Sequence, residues 1–136
     1  MAIAALVSWI LTATLGFTML SLWLSKGGLR AARSDAAVPT RLVPPLIFSH
    51  FLLAAGGLIL WIFYVIIDID ILTWVALGLL LIVVILGETM FLRWRDSRKE
   101  TTPESRFPVA FVYGHGLLAA TTVVLVLLTA LGFGGS

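Results

Sequence analysis

With 136 residues, 60% of them hydrophobic, only 12% charged, and a mean hydropathy of +1.10, the chain has too few polar side chains to clothe a soluble domain. The absence of cysteine removes disulfides, zinc–thiolate sites, iron–sulfur clusters and thiol nucleophiles. The pI near 9.5 raises nucleic acid as a partner, but all nine Lys and Arg fall within residues 26–41 and 93–106, so the basic charge is a membrane topology signal and no nucleic acid is expected.

Four apolar stretches, 2–24, 45–67, 71–92 and 108–131, are each long enough to cross a bilayer core, which needs about 20 helical residues. The first does not read as a signal peptide: it lacks a basic start, its apolar run is too long, and no A-x-A site follows it. The loop after it carries Lys26, Arg30, Arg33 and Arg41. The hairpin between the second and third segments holds only Asp68 and Asp70, and the loop before the fourth carries Arg93, Arg95, Arg98, Lys99 and Arg106. The positive-inside rule therefore predicts an all-α bundle of four transmembrane helices in the plasma membrane, with both basic loops cytoplasmic and both termini outside. Trp23 and Trp94 are expected at the inner interface, and Trp9, Trp61, Tyr64 and Trp74 towards the outer one. The two basic loops and the GFGGS tail read as solvated segments.

The chain also repeats itself. At an offset of 65 (50 to 115), Arg41 matches Arg106, His50 matches His115, and Leu-Leu-Ala-Ala follows one position after each histidine. At an offset of 71 (16 to 87), LGFTMLSLW matches LGETMFLRW and shares Leu, Gly, Thr, Met and Trp. Resemblance in composition explains matched Leu and Ala, but poorly explains shared His, Arg, Gly, Met and Trp in the same order. The single membrane domain, 1–136, thus reads as two duplicated helical hairpins, about 1–67 and 71–132, related by an axis along the membrane normal.

His50 and His115 are the only histidines. They lie five and seven residues past Pro45 and Pro108, roughly 8–10 Å into the bilayer, on helices running the same way. Short connections make these helices diagonal partners of an up-down bundle, so the rings are expected to face each other across its centre. Ala54 and Gly57, with Ala119 and Thr122 on the other helix, share the histidine faces, and Gly16 and Gly87 stand at similar depth. These small residues suggest room for a flat ligand with its metal on the axis.

An intramembrane histidine is expensive and counts as a functional candidate, although one alone often only bonds a neighbouring helix. Met19 and Met90 also repeat, and two His with two Met suit copper; the ordinary reading of such methionines is gap-filling. Glu88 replaces Phe17 in the repeat, near the histidine level. A carboxylate there suits proton transfer, a hydrogen bond to a histidine Nδ1–H, or a His–His–Glu metal site; the plainer reading is that it snorkels to the interface. Phosphate-binding loops, dinucleotide fingerprints and EF-hands are absent.

The arrangement resembles the four-helix membrane b-type cytochromes, in which two histidines on different helices clamp one haem iron. The resemblance covers the whole architecture and rests on the two histidines and the small residues beside them, without a signature string. HFLLAAGGLILWIFYV and HGLLAATTVVLVLLTALG are also similar to short four-helix membrane proteins of actinobacteria, a likeness that carries no chemistry. The first resemblance implies haem b as cofactor, His50 and His115 as axial ligands, and Arg41 and Arg106 as partners of its propionates. It implies electron exchange with quinol or a membrane redox complex, because both axial positions are filled. The competing expectation is a non-catalytic structural or accessory subunit whose histidines only knit helices together. An oligomer is compatible with either.

Overall fold

The computed structural model describes residues 1–33 and 35–133, and the last three residues of the GFGGS tail lie outside them. The chain forms four long helices, α1 (Ala2–Ser25), α3 (Pro44–Ile67), α4 (Ile71–Ser97) and α5 (Val109–Ala130), each long and apolar enough to cross a membrane. A short α2 (Gly28–Ala31) and a 3-10 turn (Glu104–Arg106) lie in the two basic loops. Proline opens α3 at its first turn, where a missing N–H leaves nothing unsatisfied. Asp68, at φ 52°, ends it in the left-handed conformation and turns the chain into α4. α4 runs five residues beyond the apolar stretch, so Arg93 and Arg95 continue the helix past its apolar part.

Each of α1 and α4 packs most closely on a neighbour from the other hairpin: α1 lies against α5, and α3 against α4. Large apolar side chains point outward all along the bundle, among them Ile3, Leu11, Phe63, Ile66, Ile85 and Leu117. In water that arrangement would expose most of the apolar surface. In a bilayer it is the low-energy one, because lipid tails solvate those side chains and the interior is left for close contacts and polar pairs. The protein is therefore a multi-pass helical membrane protein.

Inside, two clusters occupy opposite ends of the bundle. At the Asp68–Asp70 end, Trp9, Trp61, Ala76, Leu80 and Val126 pack together, with Trp61 Nε1–H donating to the carbonyl of Ala2 at 3.1 Å. At the loop end, Trp23, Leu42, Ile47, Trp94 and Phe107 form the second cluster. The expected aromatic belt is only partly present. Trp9, Trp23, Trp61 and Trp94 are buried in these clusters, and only Trp74 projects outward. Their large rings fill the bundle where small residues on opposing helices leave space, as Gly57 does for Trp9.

The basic loops are more than solvated connectors. Glu104 is fully buried, and its carboxylate accepts from the Thr40 hydroxyl at 2.8 Å and the Arg41 backbone N–H at 2.6 Å. Leu42 and Thr102 are buried beside it. This contact staples the loop of one hairpin to that of the other, and nothing in the hydropathy pattern marks it.

Candidate functional site

His50 and His115 sit six residues into α3 and α5, so both rings lie roughly 9 Å from the loop ends of their helices. They occupy the layer between the two aromatic clusters, half-buried, with ring centroids 6.2 Å apart and planes at 54°. The expected meeting of the two histidines is thus present in the structure.

Each ring is held by the helix of the other hairpin. His50 Nδ1 lies 3.0 Å from the carbonyl oxygen of Val83 on α4, and His115 Nδ1 lies 2.9 Å from that of Thr12 on α1. A carbonyl can only accept, so both Nδ1 atoms carry the proton, and each ring in its neutral form keeps a bare lone pair on Nε2. Two Nε2 atoms poised as acceptors, with tautomers set by backbone carbonyls, form the usual first half of an imidazole–metal site.

Gly16 and Gly87 stand one turn beyond those carbonyls and seat the rings. A Cβ on Gly16 would lie 3.0 Å from His115 Cε1, and one on Gly87 would lie 3.2 Å from His50 Cε1. The space beside these glycines, expected at the edges of a flat ligand, here holds the imidazole rings. Thr12 and Val83 share the 71-residue offset that relates the two glycines, so ring, carbonyl and glycine recur as a set.

The other expected residues are distributed around this layer. Ala54 and Ala119 are half-buried, one turn past their histidines. Gly57 accommodates Trp9, whose Cζ2 would lie 2.9 Å from a Cβ there. Thr122 is buried against Ser8, their hydroxyls 2.8 Å apart, bridging α5 and α1. Met19 and Met90 pack on the loop-end cluster, as gap-filling methionines do.

The arginines are elsewhere. Arg41 forms an ion pair with Glu100 at the surface, which holds the Glu100 carboxyl below the usual carboxylate range, chiefly through the hydrogen bond. Arg106 is exposed on a groove between the loops. Glu88 faces outward on α4. Of the roles weighed for it, the hydrogen bond to a histidine Nδ1–H is not made, since the Val83 carbonyl takes that of His50 and the Thr12 carbonyl that of His115, and no group of three or more His, Cys, Asp or Glu able to hold a metal occurs among the described residues.

Two features escaped sequence reasoning. Backbone carbonyls carry no residue signature, so Thr12 and Val83 were invisible as orienting groups. The indole N–H of Trp94, buried at the loop end, has no hydrogen-bond partner among the described residues. Its repeat counterpart, Trp23, donates to Thr40 at 3.2 Å. No known protein family, curated protein or solved structure matches this chain.

Proposed function

We propose that the paired imidazoles hold one haem b, making the chain a membrane-embedded electron-transfer protein. The observation that carries this reading is the ring pair itself: two neutral imidazoles, both with Nε2 free, their centroids 6.2 Å apart. His50 and His115 would hold the haem between them through Nε2, the ring nitrogen that the carbonyls of Val83 and Thr12 leave unengaged. The ligand count points the same way. With two imidazoles and no third His, Cys, Asp or Glu grouped with them among the described residues, the set suits a metal that brings further ligands of its own better than zinc held by side chains alone.

A haem held by His50 and His115 would supply one-electron exchange. The residues of the chain hold and insulate it. Val83 and Thr12 orient the rings through their carbonyls, and Gly16 and Gly87 let the rings approach the neighbouring helices. The aromatic clusters above and below keep water from the layer. The unpartnered Trp94 N–H is a donor available to an acidic substituent, a role for which Arg41 is less suited because Glu100 already holds it. Quinol or a membrane redox complex is the partner class this reading implies.

A second reading has its own support. Both Nδ1–H groups are satisfied by carbonyls of neighbouring helices, which is what two structural histidines knitting a bundle also require. Absorption spectra of the detergent-purified protein, oxidised and dithionite-reduced, with iron analysis of the same sample, separate the two. A Soret band that sharpens on reduction, with resolved α and β bands, is expected, and it should vanish in His50→Ala and in His115→Ala. A colourless, iron-free protein even after haem is supplied leaves the structural reading. The basic loops are proposed to face the cytoplasm of a cell with this chain in its plasma membrane, which reporter fusions at the two loops and the C-terminus would test.

A further inference from the structure

We propose that the groove between the two basic loops binds the phosphate group of an anionic ligand, with the headgroup of an anionic phospholipid as its source in the membrane. The groove, about 660 Å³, begins at the last residue of α1 and runs between the loops, with Lys26 and Arg30 on one wall and Thr101 and Arg106 on the other. Gly27, at φ 83°, makes the turn between Lys26 and Arg30 that brings both onto the same rim. Three cations line it, and no carboxylate does so among the described residues.

The missing counter-charge is a consequence of how the loops fold. Glu104 is buried under Thr40 and Arg41, Glu100 is engaged by Arg41, and Asp96 lies 3.7 Å from Arg95. Among the described residues, no ion pair involves Lys26, Arg30 or Arg106. Glu100 and Glu104 are thus committed on the Arg41 side, while Lys26, Arg30 and Arg106 line the groove; Asp35, exposed and next in sequence to the groove residue Ala36, is the loop carboxylate nearest to them in the chain. A concave, uncompensated cationic site recruits an anion, and arginine presents the forked donors that match phosphate.

Position selects the source. The groove opens where α1 ends, beyond the apolar part of the bundle, at the level of lipid headgroups. Leu24, Leu29 and Val109 are exposed near it, an apolar surface on which acyl chains would lie. Basic pockets at such helix ends are known settings for anionic headgroups. The reading is independent of the imidazole pair and of any haem.

The test uses the full chain in neutral detergent, with binding of phosphatidylglycerol, phosphatidylcholine and inorganic phosphate measured by native mass spectrometry and by thermal shift. Phosphatidylglycerol is expected to bind at least tenfold more tightly than phosphatidylcholine. Each groove cation contributes roughly fivefold, so Arg30→Gln with Arg106→Gln should weaken it about 25-fold. Arg33→Gln with Arg95→Gln removes the same charge outside the groove and should change little. Stabilisation by phosphatidylglycerol alone assigns the site to lipid, whereas equal stabilisation by inorganic phosphate assigns the same phosphate site to a free anion. Equal weakening by both variant pairs, or no preference over phosphatidylcholine, overturns the proposal by showing only diffuse surface attraction.

Discussion

Replacing Gly16 with alanine probes the ring layer directly, and its expected effect follows from distances. The new Cβ would lie 3.0 Å from His115 Cε1 and 3.4 Å from Nδ1. Ordinary carbon contacts sit at about 3.5–4.0 Å, so the ring must give by about a few tenths of an ångström. Retreat stretches the 2.9 Å hydrogen bond to Thr12, on the helix that carries the new methyl group. A weakened hydrogen bond costs about 0.5–1.5 kcal/mol and overpacking about 1–3 kcal/mol. Alanine in place of glycine within a helix returns about 1 kcal/mol, so the net loss is about 0.5–3.5 kcal/mol. Gly87→Ala meets His50 at 3.2 Å and should lose less. Gly78→Ala is the control: it lies in α4 with nothing within 4 Å of the added Cβ, so it should be neutral or stabilising. Unfolding by SDS in mixed micelles, followed through the buried tryptophans, gives the ordering Gly78→Ala, Gly87→Ala, Gly16→Ala from most to least stable. Nitrogen-15 NMR of the neutral imidazoles should show Nδ1 protonated in the wild type. If Gly16→Ala is as stable as Gly78→Ala, the rings are not wedged on the glycines and the reasoning fails.

The loop staple and its neighbouring ion pair give two further outcomes. Glu104→Ala leaves the Arg41 N–H without its acceptor and the Thr40 hydroxyl with only the Leu42 carbonyl at 3.2 Å, and should destabilise the protein by about 1–3 kcal/mol in the same titration while leaving the helical circular dichroism intact. Glu100 has its pKa lowered by Arg41, so its contribution is present above the ordinary carboxylate value of 4.5 and is lost as pH falls through its depressed value. Stability should therefore decline on acidification below that point, and Glu100→Gln should flatten the decline. Because both side chains are largely exposed, raised salt should shrink the difference.

The four spans were legible because hydropathy and length leave no alternative for such stretches, and the ends of α1 and α3 fall within a residue of expectation. The meeting of His50 and His115 was legible too, since equal depth on parallel, diagonal helices determines it. The positions of the tryptophans were not. An indole is favoured both at the interface and in a helix-lined gap, and only the opposing residue decides, as Gly57 does for Trp9. Gly16 and Gly87 were recognised as a matched pair at the right level, but sequence cannot tell whether a glycine opens space for a ligand or for a side chain already present. Arg41 was read as a propionate partner because its spacing from His50 repeats in Arg106 and His115. The Glu100 carboxylate, brought close by the fold of the other loop, competes for it.

One departure from the repeat has an energetic consequence. Phe17 on α1 stacks on Phe51 of α3 with centroids 6.5 Å apart. Shifted by the two offsets, 71 and 65, this pair becomes Glu88 on α4 and Gly116 on α5. Phe91 and Tyr113, with centroids 5.7 Å apart, show that α4 and α5 face each other one turn away, and in antiparallel helices residues 88 and 116 then oppose. One side of the ring layer is thus covered by an aromatic pair. The other has a notch, where a Cβ on Gly116 would meet nothing within 4 Å and the Glu88 side chain is exposed. An acidic side chain facing acyl chains costs up to about 2.5–3.5 kcal/mol at the bilayer centre and less towards the interface. An aromatic pair adds about 0.5–1.5 kcal/mol of stabilisation. Installing the counterpart pair, Glu88→Phe with Gly116→Phe, should therefore make the protein about 1–3 kcal/mol more stable in the SDS titration. Glu88→Gln alone should recover only part of that gain. A double variant less stable than wild type would show that the notch is filled in the membrane and that Glu88 has a polar partner there, and the account of this face as open would fall.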